Sequence, residues 1–84
     1  MSIKKEIEFE NEEQFVWLIT FKAEGIVYNR AFLKFDDALE RALRHSSQLT
    51  GREVEKSNVF IDKKQIWENN GDRLPVTIQQ IRLI

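Results

Sequence analysis

Hydrophobic and polar positions alternate from the start of the chain. Ile3, Lys5, Ile7 and Phe9 fall on one side, and Lys4, Glu6, Glu8 and Glu10 on the other. A period of two with one charged side predicts a half-exposed strand. Asn11-Glu12-Glu13 reads as the turn that follows. Two further strands are predicted, from Gln14 to Lys22 and from Ile26 to Phe35, both rich in β-branched and aromatic residues.

The loop between these two strands decides which side chains share a face. Reading Ala23-Glu24-Gly25 as a three-residue loop, with Gly25 in the left-handed position, sets Phe15, Trp17, Ile19, Phe21, Val27, Ala31, Leu33 and Phe35 on a core face. The other face is then Val16, Leu18, Thr20, Lys22, Ile26, Tyr28, Arg30, Phe32 and Lys34. A two-residue turn at Glu24-Gly25 instead places Arg30 beside Ile19 and Phe32 beside Trp17. The three-residue reading is preferred here because it keeps Arg30 and Lys34 out of the core.

From about Asp37 to Leu49 the period changes to that of a helix. Leu39, Ala42, Leu43, Ser46 and Leu49 form its buried stripe. Asp37 as cap with Glu40 three positions on fits a capping box, and Gly51 stands where a left-handed residue ends a helix. Strand patterns return over Val54–Ile61 and Gln65–Glu68, then a hairpin turn at Asn69-Asn70-Gly71-Asp72 and a last strand over Leu74–Ile84. Pro75 restricts that part of the last strand to an edge or a bulge. A bulge at Gln79-Gln80 would bring Val76, Ile78, Ile81 and Leu83 to one face. The expected fold class is α+β: an antiparallel sheet of five to six strands with one helix packed on one face, in the order β-β-β-α-β-β with a further strand at the end. One helix covers one face, so the other is expected to be open.

Length and composition confine this picture to one domain over residues 1–84. A chain of this size buries roughly 60–65% of the surface exposed when unfolded, which leaves a thin stability margin. Hydrophobic residues make up 42% and charged residues 32%, values of a globular rather than a disordered chain. There is no cysteine, so no disulfide or thiolate metal site braces the core, which favours a reducing compartment. With neither a signal-like nor a membrane-length apolar run, the expected location is cytoplasmic.

Catalytic chemistry is not evident. His45 is the one histidine, and its neighbours Ser46 and Ser47 point elsewhere on the helix, so no Ser–His–Asp set is expected. A solvated helix histidine is the default reading. Asp36-Asp37 reads as helix capping rather than as a carboxylate pair. The three glycines give no phosphate-cradling loop, and the 69–72 turn lacks the further ligands of a calcium site. No enzyme activity, cofactor or metal is expected.

Three surfaces remain. The face holding Tyr28, Arg30, Phe32 and Lys34 mixes aromatic and basic groups of the kind that anchor protein interfaces or stack on bases. Glu6, Glu8, Glu10, Glu12 and Glu13 form an acidic ridge suited to a basic partner or to blocking edge-to-edge aggregation. Arg41 and Arg44 stand four residues after Asp37 and Glu40, in the orientation of solvated helix ion pairs, with Arg52 nearby. The overall charge of −1 lacks the strongly basic footprint of a dedicated nucleic-acid binder.

Trp17, Gly25, the run Phe32-Leu33-Lys34-Phe35 and then Asp36-Asp37-Ala38-Leu39-Glu40-Arg41-Ala42 together resemble the strand–strand–helix portion of AP2-type and integrase arm-type DNA-binding domains, and of HicB-type antitoxins. The stretch covers less than half the chain, and the basic sheet residues of those DNA binders are mostly missing. The primary expectation is a non-enzymatic protein-binding module that docks on and blocks a larger partner, in the manner of small phage or mobile-element inhibitors such as anti-CRISPR or antirestriction proteins. Tyr28, Arg30, Phe32, Lys34, Glu6, Glu8 and Glu10 are its expected contact residues. Self-association to a homodimer is its natural companion. The alternative is a nucleic-acid-binding domain using a three-stranded sheet, with Lys22, Tyr28, Arg30 and Lys34 as contacts; no membrane partner is expected.

Overall fold

The computed structural model describes residues 15–83. Within them the chain forms β1 (Phe15–Ala23), β2 (Ile26–Phe32), α1 (Phe35–Thr50), a single 3-10 turn (Lys56–Asn58), β3 (Val59–Asp62), β4 (Gln65–Glu68) and β5 (Arg73–Arg82). The strands make one antiparallel sheet in the order β2-β1-β5-β4-β3, and the single helix packs on it, an α+β fold. The strand expected over residues 3–10, with Glu6, Glu8 and Glu10, lies outside the described residues.

The core sits between α1 and the sheet. Ile19, Ile66, Leu74, Val76 and Ile78 meet Ala38, Leu39, Ala42 and Leu43 there, with Trp17, Phe21, Phe32, Phe35 and Val59 packed around them. Each fully buried aliphatic side chain contributes about 1.5–3 kcal/mol. The helical stripe is buried as its spacing implies, except that Leu49 is exposed and Ala38 takes the place beside Ala42. The helix begins two residues early, at Phe35, whose ring packs edge-on against Trp17 at 4.8 Å. Lys34 is therefore the N-cap residue, without a side-chain cap, and Asp36 and Asp37 lie in the first turn, where their charges favour the helix N-terminus. Gly51 closes the helix at φ 77°, its N–H donating to the Ser47 carbonyl at 2.9 Å.

The β1–β2 register corrects the expected one. Glu24 and Gly25 form a two-residue turn with φ of 54° and 82°, the pair of left-handed residues that matches strand twist. Trp17 therefore faces Phe32, Ile19 faces Arg30 and Phe21 faces Tyr28. The faces of β1 are as expected, but every residue of β2 is on the opposite side. Val27 and Leu33 are not core residues; they are 58% and 80% exposed. Tyr28, Arg30 and Phe32 stand on the helix side of the sheet.

The last strand also differs. Its pairing with β1 runs without interruption from Phe15↔Arg82 to Phe21↔Val76, so there is no bulge at Gln79-Gln80. Val76 and Ile78 face the core, and Ile81 faces Val16 on the other side. The irregularity lies instead against β4, between Gln65↔Thr77 and Trp67↔Arg73. Pro75, which has no N–H for the ladder, falls at that bulge. The face away from α1 carries Val16, Leu18, Val27, Ala31 and Ile81, and among the described residues no helix lies over it.

Candidate functional site

α1 contacts β5 and β1 more extensively than β2, so the edge strand extends past the helix as a ledge. Helical spacing aims Arg41 and His45, four residues apart, at this ledge. Two rows of side chains link helix and strand. In the first, the Arg41 guanidinium lies over the Phe32 ring, 5.8 Å from its centroid, and Phe32 pairs across the ladder with Trp17. In the second, His45 stacks on Phe21 at 4.2 Å, and Phe21 stacks on Tyr28 at 5.2 Å. Arg30 sits between the rows.

His45 is the electrostatic centre of the group. Partial burial and then the Arg41 charge hold its pKa below the ordinary 6.5; the Gln48 side chain acts in the opposite sense, and Arg30 and Arg44 add to the lowering. Its Nε2 is buried and has no hydrogen-bond partner among the described residues. The ring is thus half-buried and stacked, not the solvated histidine expected. The pairs Asp37–Arg41 and Glu40–Arg44 do not close among the described residues. Arg41 and Arg30, and more weakly Arg44, add positive charge around this imidazole beside exposed aromatic carbon. Such a surface attracts carboxylates or phosphates and offers ring faces for packing.

The other flank of α1 is chemically balanced. A groove of about 440 Å³ there is lined by Asp36, Glu40, Leu43, Arg44, Ser47, Glu53, Val54 and Lys56, with charges of both signs. At the far end of the helix Arg52 binds Glu68 through both guanidinium nitrogens, Nη1 donating to Oε2 at 2.7 Å. Glu68 is only 3% exposed, and the hydrogen bond from Arg52 holds its pKa below the usual carboxylate range. This bridge ties the chain after α1 to β4 and is structural. Among the described residues no group of acidic or histidine side chains is arranged to hold a metal ion, and no helix is long and apolar enough to cross a membrane.

Of the expected contact residues, the structure brings Tyr28, Arg30 and Phe32 together, on the helix side rather than on the open face. Lys34 stands apart at the helix start, and Lys22 faces Val27 on the opposite side of the sheet. Sequence reasoning missed Arg41 and His45 as partners of β2. Their i,i+4 spacing was a signal, but only the correct register shows what they face. The chain matches no family model, no curated protein and no solved structure.

Proposed function

We propose that this protein is a non-enzymatic protein-binding module that docks an acidic surface of a larger partner, and blocks it, through the ledge formed by β2 and the adjoining flank of α1. The observation that carries this reading is the Arg41 guanidinium over half-buried Phe32, with Arg30 beside exposed Tyr28 on the same side of β2 and neither arginine paired with an acid among the described residues. Arg and aromatic side chains dominate binding hot spots because they combine large contact area with directional polar groups. Uncompensated cations would also speed encounter with an acidic partner. Affinity capture from the source cell with mass-spectrometric readout tests it. A protein recovered by the native chain and lost with Tyr28→Ala or Phe32→Ala supports the reading; unchanged recovery refutes it.

The adjacency of Tyr28 and Arg30 on an edge strand also favours a second reading, nucleic-acid binding. That reading loses Lys22, which faces away, and with it the three-stranded contact surface. It requires binding that weakens as salt rises, with a smaller salt slope on removal of Arg30. Absence of binding to duplex or single strands at low salt disposes of it.

A further inference from the structure

β2 is an edge of the sheet among the described residues. In a hairpin closed by a two-residue turn, hydrogen-bonded and non-hydrogen-bonded pairs alternate from the turn outward. The N–H and C=O groups of Ile26, Tyr28, Arg30 and Phe32 therefore point to β1, and those of Val27, Asn29 and Ala31 point away from it, to an edge that no strand among the described residues occupies. Edge strands are ordinarily protected by proline, bulges, brevity or several charges. β2 has none of these. It runs seven residues in unbroken register and carries one charge, Arg30.

The strand is also self-complementary. It reads Ile26-Val27-Tyr28-Asn29-Arg30-Ala31-Phe32, with Asn29 at its centre. Antiparallel pairing with a second copy about a two-fold axis at Asn29 sets Tyr28 opposite Arg30, Ile26 opposite Phe32 and Val27 opposite Ala31. The first is a cation–aromatic pair and the others are apolar pairs. An axis perpendicular to the sheet keeps the helix sides together, so only shifts of two residues compete. One shift sets Arg30 against Arg30, and the other sets Val27 against Asn29 and Ile26 against Arg30. At Asn29 itself, the Thr20 hydroxyl donates to Oδ1 at 2.8 Å, which leaves the amide nitrogen without a partner among the described residues and free to donate across the axis.

We infer that the protein forms a homodimer in which two β2 strands pair antiparallel about Asn29, giving one continuous sheet through both copies. Each facing pair of outward residues exchanges two main-chain hydrogen bonds. Exposed Ile26, Val27 and Tyr28 supply the apolar area that backbone pairing alone lacks. The inference goes beyond the docking reading and does not need it; the seam shares Tyr28 and Arg30 with that reading, whereas Arg41 on α1 stays outside the new strand pair.

Cross-linking of the full chain tests the register, since it has no native cysteine. Across the axis the two Asn29 Cα atoms would stand about 5.5 Å apart, within disulfide reach. The two Val27 residues would be offset along the strands by about 13 Å, out of reach. The expected result is a disulfide dimer from Asn29→Cys under mild oxidation and none from Val27→Cys. Sedimentation of the native chain should show twice the monomer mass, and Asn29→Pro should raise the dimer dissociation constant at least tenfold with its circular dichroism unchanged. A native chain that remains monomeric at millimolar concentration overturns the inference. So does a dimer that cross-links through Val27→Cys but not Asn29→Cys. Arg41→Glu, which weakens docking, should leave the dimer intact, so the two proposals fail separately.

Discussion

Tyr28 lies directly across the ladder from Phe21, their rings 5.2 Å apart and inclined by 17°, and His45 also stacks on Phe21, at 4.2 Å. The three rings tie the exposed edge strand to the helix. Phe21 is the middle of the stack, so its loss removes both contacts. Phe21→Ala is expected to cost about 2–3 kcal/mol, below the range of a fully buried phenylalanine because the ring is half-buried. Tyr28→Ala, at a position 43% exposed, should cost less than about 1 kcal/mol. Urea denaturation measures both, and equal costs would mean that the stack does not support the strand.

The turn makes a second prediction. Glu24 has φ of 54°, a region in which asparagine is more at ease than glutamate. Glu24→Asn should stabilise the hairpin by about 0.5 kcal/mol, and Gly25→Ala should destabilise it by about 1 kcal/mol. A destabilising Glu24→Asn, read from the urea midpoint, would argue against the two-residue turn.

This turn is also where the sequence ceased to be informative. Period three to four fixes a helix face over many residues, so the burial of Leu39, Ala42, Leu43 and Ser46 was legible. Strand faces have period two, and one residue more or less in a loop inverts them. Both parities of β2 are apolar, Ile26, Tyr28 and Phe32 against Val27 and Ala31, so hydrophobicity could not choose. Excluding Arg30 from the core was a weak criterion, because the helix side of an edge strand is only partly covered and Arg30 remains exposed there. The same two-sided apolarity hid the place of Ile81, which meets Val16 on the open face without any bulge. Pro75 was more informative: its missing N–H limited it to an edge or a bulge, and it lies at the β4–β5 irregularity.

Ser46 offers a simple stability test. It is fully buried in α1, and its hydroxyl has no partner among the described residues. Ser46→Ala removes an unsatisfied polar group and improves helix propensity, so it should raise stability by about 1 kcal/mol. A loss of stability in thermal unfolding would show that the hydroxyl is satisfied in solution.

Acid should lower the protein's stability over two successive pH ranges. The folded-state pKa of His45 is lowered from 6.5, so the unfolded chain takes up its proton first. That contribution to stability is complete above pH 6.5 and is lost as pH falls from there through the folded value. Glu68 is lowered from 4.5, so its contribution is complete above pH 4.5 and is lost as pH falls through its folded value. His45→Gln should remove the loss over the upper range and Glu68→Gln that over the lower one, in denaturation midpoints followed against pH. A midpoint that is flat from pH 7 to 5 in the native chain would contradict the placement of His45.

The docking account rests on which side of the sheet carries the contact. Competitive capture of the partner by charge-reversed variants tests this most directly, with Arg41→Glu on the ledge and Lys22→Glu on the opposite face. The account predicts at least a tenfold loss of affinity for Arg41→Glu and an unchanged value for Lys22→Glu. Equal retention by both, or a loss confined to Lys22→Glu, would contradict it.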